Sequence, residues 1–327
     1  MGASIGIRPA RTLARVHFGA MIVDLDMRLW TRPDDLGPEL ADSIRRAGAS
    51  RWLQPDASPD AFAGAARAVD AGLALGFEST LLRGAISEAA LLEQAARSEG
   101  RLFLGRSIDP LAAGASNRVE SARRDGFAAL WLDPALQGFN PTDTRAMRVF
   151  DRAEANQLPV FLGWSGPLPA SARLEFARPY LLDEVARAFP RLTLVLGGFG
   201  APFHAETLVL LAKHDRVFTT TAGVAARPWE LLQTLQGCRD HGVEQKVLFA
   251  SGFPFDTPAR AIEAIYSVNG MVATTPLPQI PRSVLRQIVE RDAISLLGLG
   301  VPPAEGDRAT TRLLASEAPL RLMGENA

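Results

Sequence analysis

The chain has few residues of the types that form disulfides, metal centres or Schiff bases. Its 327 residues include one cysteine, Cys238, and four histidines. Only Lys213 and Lys246 among its 35 basic residues are lysines. A single cysteine excludes an internal disulfide, a dithiol redox centre and a cysteine-based zinc cluster, and it is compatible with a reducing compartment.

Long blocks of one charge and long apolar runs are also missing. The 35 basic and 36 acidic residues are interspersed and give a net charge of −1. This balance argues against nucleic acid or an anionic membrane as the main partner. No apolar run approaches the roughly 20 residues needed to cross a bilayer, and the arginine-containing N-terminus lacks the apolar core of a secretory signal. We therefore expect a cytoplasmic protein with no membrane partner.

What the sequence does contain is an alternation of short apolar segments with segments of helical periodicity. Helical spacing is clear in 87–100 and 143–157, and 282–299 reads as a final amphipathic helix. The eight strand-like segments are 20–27, 77–83, 102–108, 128–133, 159–164, 192–198, 216–221 and 246–251. Segments that are apolar almost throughout are typical of parallel strands buried on both faces.

Eight strand and helix units in about 250 residues predict an α/β fold, a single-domain (β/α)8 TIM barrel. We assign the barrel to residues 20–300. Residues 1–19 are expected to form an N-terminal arm, and the polar residues 301–327 a C-terminal extension.

In such a barrel, chemistry takes place at the C-terminal ends of the strands, so the residues that end each segment are the candidate site. These residues combine carboxylates, guanidinium groups and aromatic rings. They are Asp24, Asp26, Arg28, Arg83, Arg106, Trp131, Trp164, Ser165, Ser251 and Phe253.

The order and spacing of several segments resemble one known family. They run from "IVDLDMRLW" through "GRSIDP", "GFAALWLDP", "LPVFLGWSG" and "FPRLTLVLGGFG" to "VLFASGFPF" and "RDAISLLGL". Together they resemble the amidohydrolase-related proteins of the aminocarboxymuconate-semialdehyde decarboxylase type. The resemblance implies a TIM-barrel hydrolase or decarboxylase that holds a metal on a His-x-His pair, two further histidines and an aspartate.

None of those metal ligands is found at the matching positions of this chain. Asp26 and Arg28 stand for the histidine pair, and Gly163 or Trp164 for the next histidine. Gly198 stands for the last histidine, and Gly252 for the aspartate. Glycine donates no ligand atom and arginine repels a cation, so we expect neither a metal nor another cofactor. The glycines are expected to leave room in the barrel mouth for the side chain of Arg28.

Arginines and tryptophans give the predicted mouth its character. Arg28, Arg83 and Arg106 would form a wall that binds a carboxylate or phosphate, unless each pairs with a nearby acid at the rim. Trp131 and Trp164 are able to stack a planar ligand or to fill the core. The sequence leaves both alternatives open.

Two classes of catalysis can be tested against the residue types. Neither lysine is expected to lie at a C-terminal strand end, which excludes Schiff-base chemistry in this fold. His204 is the one histidine that follows a strand's C-terminal end, where it would act as acid or base or simply begin a helix. A nucleophilic Ser165 paired with His204 is conceivable, but no carboxylate that would orient the histidine is evident.

Two functions remain open from the sequence. The chain is either a metal-independent hydrolase or lyase for a small carboxylate or lactone, with Asp24, Asp26 or His204 as acid or base and Arg28 as anion anchor. Alternatively, it is a catalytically inactive paralogue that binds a ligand or regulates an active subunit. In both cases we expect a homodimer or a hetero-oligomer with a related barrel.

Overall fold

The computed structural model describes residues 21–50 and 55–300. Its main sheet has eight parallel strands in the order β1-β2-β5-β6-β7-β8-β9-β10. The strands are β1 Val23–Met27, β2 Ala71–Leu75, β5 Leu102–Ser107, β6 Ala129–Leu132, β7 Val160–Leu162, β8 Leu194–Leu196, β9 Val217–Thr220 and β10 Val247–Leu248. Almost every strand residue is buried, because the barrel interior covers one face and the helices cover the other.

The first and last strands meet and bring the two edges of the sheet together. Backbone hydrogen bonds run from Leu25 N to Phe249 O at 3.2 Å and from Gly252 N to Asp26 O at 3.1 Å. A parallel bridge joins Met27 to Phe253. The predicted TIM barrel is confirmed.

Helices surround the barrel in the alternating order that the sequence predicts. Their bounds are α1 Pro38–Ser50, α2 Pro59–Ala65, α3 Glu88–Arg97, α4 Ala115–Ser121, α5 Pro134–Gln137, α6 Thr144–Ala155, α7 Leu182–Ala188, α8 His204–Lys213, α9 Pro228–Asp240, α10 Pro258–Ser267, α11 Arg282–Val289 and α12 Ala293–Leu297. Short 3-10 helices lie at Pro33–Leu36, Ala66–Ala68, Leu174–Phe176, Pro179–Leu181, Gly197–Gly200, Glu244–Lys246 and Val268–Val272.

The second barrel strand differs from the prediction. The segment 77–83 does not enter the barrel. It belongs to a small hairpin formed by β3 Glu78–Ser79 and β4 Gly84–Ala85 above the barrel. The barrel strand is the preceding "AGLAL", whose small residues have low β propensity. Packing favours glycine at position 72, since a Cβ there would lie 2.9 Å from the sulfur of Met27.

The predicted single helix over 282–299 is also wrong, because the structure divides it into α11 and α12. Asp292 lies between the two helices, and its side chain accepts a hydrogen bond from Ser295 N at 3.0 Å. An N-cap of this kind starts a new helix in place of continuing the old one.

The predicted arm at 1–19 and the predicted extension at 301–327 lie outside the described residues. Within the described residues, every helix is too short or too polar to cross a bilayer.

Candidate active site

The centre of the candidate site is one face of β1 and the residue that follows it. Side chains alternate along a strand, so Asp24, Asp26 and Arg28 share a face, while Val23 and Leu25 lie on the other. All three polar residues are buried, and Arg28 is fully inaccessible. Because this face contacts Gly76 at the end of β2 and Trp131 on β6, Arg28 lies inside the barrel mouth, as predicted.

Arg28 uses only part of its hydrogen-bonding capacity. Its Nε donates to Asp26 Oδ1 at 3.0 Å and its Nη1 donates to Gly76 O at 3.0 Å. Its Nη2 is buried and has no hydrogen-bond partner within residues 21–50 and 55–300. Burial lowers the pKa of Arg28, and the charge and hydrogen bond of Asp26 oppose this shift. The pair therefore keeps a buried cation that retains free donor capacity.

Two tryptophans enclose the guanidinium group of Arg28. Its Cζ lies 4.6 Å from the ring centroid of Trp131 and 5.2 Å from that of Trp164, both within the range of a cation–π contact. Trp164 is itself half-buried and packs edge-on against Phe255 at 5.4 Å between ring centroids. These rings separate the cation from solvent.

Asp24 lies deeper on the same face and links β1 to the last strand. Its Oδ1 accepts hydrogen bonds from Ser251 N at 2.9 Å and Asp26 N at 3.2 Å, while its Oδ2 has no partner among the described atoms. Burial raises the pKa of Asp24 to about 7, although hydrogen bonds from Ser251 act in the opposite direction. Ser251 thus positions Asp24, and its own Oγ accepts a hydrogen bond from Phe253 N.

Asp133, at the end of β6, is a second buried carboxylate near Arg28. It caps α5 by accepting a hydrogen bond from Leu136 N at 2.8 Å. Burial raises its pKa to about 6, while the backbone hydrogen bond from Leu136 and then the charge of Arg28 lower it. Asp133 and Trp164 both line a cavity of about 70 Å³ at the C-terminal ends of β6, β7 and β8. Asp133 is the last residue of the predicted strand 128–133, so its place at a strand end is evident from the sequence.

The glycines that replace the expected metal ligands do not all leave room. A Cβ at Gly252 would lie 2.9 Å from Gly223 N and 3.0 Å from Ser165 Cβ. A Cβ at Gly198 would lie 2.6 Å from Ala222 O. Both glycines have positive φ, which favours glycine over other residues. At these two positions the expectation of free space is wrong, since neighbouring backbone fills it.

This arrangement does not fit a metal ion. The family's positions supply one carboxylate, Asp26, and that carboxylate is already paired with the cation of Arg28. Across the described parts of the chain, no three histidine, cysteine, aspartate or glutamate side chains lie close enough together to hold an ion. A divalent metal requires about three or four such donors.

Three of the predicted site residues lie away from the mouth. Arg83 is exposed at the tip of the β3–β4 hairpin. Arg106 points into the helix layer, where it pairs with Glu88 at 2.6 Å and with Asp125 at 2.8 Å. Phe253 packs edge-on against Phe62 of α2, with 5.9 Å between ring centroids. The wall of three arginines is therefore reduced to Arg28.

His204 and Ser165 are not joined. His204 begins α8, and its Nε2 lies 2.6 Å from Glu230 Oε1 while its Nδ1 lies 3.1 Å from Phe199 O. Both ring nitrogens are thus engaged by groups outside the mouth. Ser165 Oγ is buried and has no hydrogen-bond partner in the described regions, so it lacks a base.

Comparison with known proteins places these observations in a family. The sequence profile of the amidohydrolase family, Amidohydro_2, matches residues 23–299. No curated protein matches the chain.

Solved structures with the same fold include three with informative names. An amidohydrolase of Burkholderia multivorans with bound zinc has a TM-score of 0.62 and 16% identity, over 86% of this chain and 100% of that one. 5-Carboxyvanillate decarboxylase of Sphingomonas paucimobilis has a TM-score of 0.60 and 14% identity, over 86% of this chain and 100% of that one. A probable 2-pyrone-4,6-dicarboxylic acid hydrolase of Acinetobacter baumannii with citric acid bound has a TM-score of 0.59 and 15% identity, over 85% of this chain and 99% of that one. Identities this low establish a shared fold only.

Proposed function

The chain belongs to the amidohydrolase family, and from this premise we propose that it is a catalytically inactive member that binds a small organic carboxylate. The observation that carries the proposal is the Nη2 of Arg28, which has no hydrogen-bond partner in the part of the chain that the structure describes. A buried donor without a partner destabilises a protein, and a carboxylate is well suited to accept its hydrogen bond. Arg28 would then anchor the anion in place of a metal.

Several features support a carboxylate as the ligand. Arg28 already lies between Trp131 and Trp164, whose rings would also cover the apolar part of an organic acid. Two proteins of similar fold are named with carboxylates, 5-carboxyvanillate in one and citric acid in the other. The cavity of about 70 Å³ beside Trp164 is smaller than the roughly 300–1,000 Å³ of most ligand pockets. The ligand is therefore small, or Trp164 moves to admit it.

A titration monitored by tryptophan fluorescence tests the proposal. Acetate, malonate, citrate and benzoate are added to chelator-treated protein, and at least one is expected to change the emission of Trp131 and Trp164 in a saturable way. Arg28→Lys keeps the positive charge but loses the planar donor fork, so it should weaken binding by about tenfold or more. Absence of saturable binding for every acid would contradict the proposal.

A second candidate function, a metal-independent hydrolase or lyase, is favoured by Asp133. This carboxylate borders the cavity and has a pKa of about 6, a value suited to general acid or base catalysis near neutral pH. Turnover of a pyrone dicarboxylate or a dihydroxybenzoate by metal-free protein, followed by ultraviolet absorbance and lost in Asp133→Asn, would establish this function. Binding without turnover supports the inactive member.

A further inference from the structure

A larger cavity lies at the opposite end of the barrel, and we name it the basal cavity. It has a volume of about 570 Å³, within the range of small-molecule sites. Its walls include Pro159, Thr193 and Arg216, which immediately precede β7, β8 and β9, and the α12 residues Ser295–Leu297. It is thus separated from Arg28 by the length of the barrel.

The charges around the basal cavity are unbalanced. Among the described residues, its lining contains Arg123, Arg191 and Arg216 and one acid, Glu154. Glu154 is occupied by Arg191, which donates to it from its backbone N at 2.8 Å and from Nη2 at 3.2 Å. The lining therefore carries two positive charges in excess.

Two of these arginines have no carboxylate partner among the described residues. Arg123 donates to the backbone oxygens of Asn156 at 3.1 Å and Gln157 at 2.6 Å. Arg216 donates to the hydroxyl of Thr193. Burial lowers the pKa of Arg123, and no neighbouring acid opposes that effect. Both arginines are exposed residues, and these hydrogen bonds orient their side chains without neutralising the charge.

Arg123 follows α4 in the chain, and its side chain reaches the C-terminal end of α6. This contact has a structural explanation of its own. A cation there is stabilised by the helix dipole and by the carbonyl groups that the helix leaves unpaired. That explanation does not extend to Arg216, which belongs to the chain just before β9. Two arginines from separate elements that line one cavity, with no carboxylate partner among the described residues, are suited to bind an anion there.

We propose that the basal cavity binds a compact anion with two or more negative charges, such as a phosphate compound or a polycarboxylate. Planar guanidinium groups match the oxygen spacing of both anion types. The site is separate from the carboxylate site at Arg28, and it would serve a ligand that regulates the protein or stabilises it.

Calorimetric titration of the full chain with pyrophosphate, and separately with citrate, tests this proposal at low ionic strength. Arg216→Gln should weaken binding by about tenfold or more, because the variant loses a positive charge and its charge-assisted hydrogen bonds to the anion. Arg124→Gln is the matched control, since Arg124 is exposed, adjacent to Arg123 and outside the lining of the cavity. The control should bind as the wild type does.

The outcomes separate the two anion classes and the two proposed sites. Binding of pyrophosphate that Arg216→Gln weakens identifies a phosphate ligand, and binding of citrate that Arg216→Gln weakens but Arg28→Lys does not identifies a polycarboxylate at the basal cavity. In either case Arg216→Gln should leave carboxylate binding at Arg28 unchanged. Failure of both anions to bind, at concentrations up to about 10 mM, at a site that Arg216→Gln weakens, or an equal loss in Arg124→Gln, would overturn the proposal.

Discussion

At the scale of single residues, the pair of Asp26 and Arg28 determines what the barrel mouth is able to do. Asp26 is one of the few acids in the mouth, and the Nε of Arg28 lies 3.0 Å from its Oδ1. The guanidinium group fills the position where the resemblance placed a metal ligand. Under the proposed function, this guanidinium group would take the electrostatic place of a bound ion.

We predict that Arg28→Met destabilises the protein by about 3–5 kcal/mol, the usual cost of leaving one partner of a buried ion pair alone. Asp26 would then remain buried without its counter-charge. The double variant Asp26→Asn and Arg28→Met removes both charges and should recover part of the loss. Urea unfolding at pH 7 measures all three proteins, and equal stability of wild type and Arg28→Met would show that the pair is not structural.

Asp24 gives the stability of the fold a pH dependence. Its pKa is raised from 3.8 to about 7, so the folded state holds a proton that the unfolded state has already released. Stability from this group is therefore greatest below about pH 4 and declines until about pH 7, after which it is constant. Asp24→Asn keeps the acceptor for Ser251 N but cannot ionise.

We expect Asp24→Asn to remove most of the change in the free energy of unfolding between pH 4 and pH 7. The variant should gain stability over the wild type as the pH rises, reaching a few kcal/mol at pH 7. Denaturant unfolding at several pH values measures this gain. The exposed Asp60→Asn serves as a control for loss of one carboxylate. A wild-type curve that runs parallel to that of Asp24→Asn would contradict the assignment.

At the scale of elements, the connections after β7, β9 and β10 close over the positions that would hold a metal. Gly252 follows β10 and contacts Ser165, which follows β7, and Gly223, which follows β9. Each connection approaches its neighbour closely because a glycine lacks a Cβ at the contact. The glycines therefore belong to the packing of the mouth.

Restoring the family's carboxylate by Gly252→Asp should fail to create a metal site. The new Cβ would meet Gly223 N and Ser165 Cβ, and φ at this position is +75°. We predict a destabilisation of about 2 kcal/mol and no zinc binding. Thermal unfolding with and without zinc measures both effects, and Gly270→Asp, where the added Cβ meets no atom within 4 Å, is the control.

At the scale of the whole molecule, the fold was more predictable than the site. Strands such as 159–164 are recognisable because both faces are buried, which makes them apolar throughout. β2 was missed because its alanines and glycine have low β propensity, and packing against Met27 favours glycine at position 72. Alternation along a strand is enough to predict that Asp24, Asp26 and Arg28 share a face. Alternation does not tell which face of β5 points into the barrel, so the outward direction of Arg106 could not be predicted.

Association is a prediction that belongs to the same scale. We expect a homodimer, or a complex with a related barrel, because proteins of the resembled type usually associate. Exposed apolar side chains such as Tyr180, at 54% exposure, and Trp229, at 52%, are candidates for the contact. Light scattering across a concentration series measures the mass, and a monomer at every concentration with no partner recovered would count against this expectation.

The central claim is that Arg28, and not a metal, anchors the ligand of this barrel. The most direct test is to titrate one carboxylate that binds, in the same calorimeter, into chelator-treated protein and into protein supplied with zinc or manganese. The account predicts the same dissociation constant in both samples and its loss in the double variant Asp26→Asn and Arg28→Gln, which keeps the site neutral. Binding that requires added metal, or that persists in the double variant, would contradict it.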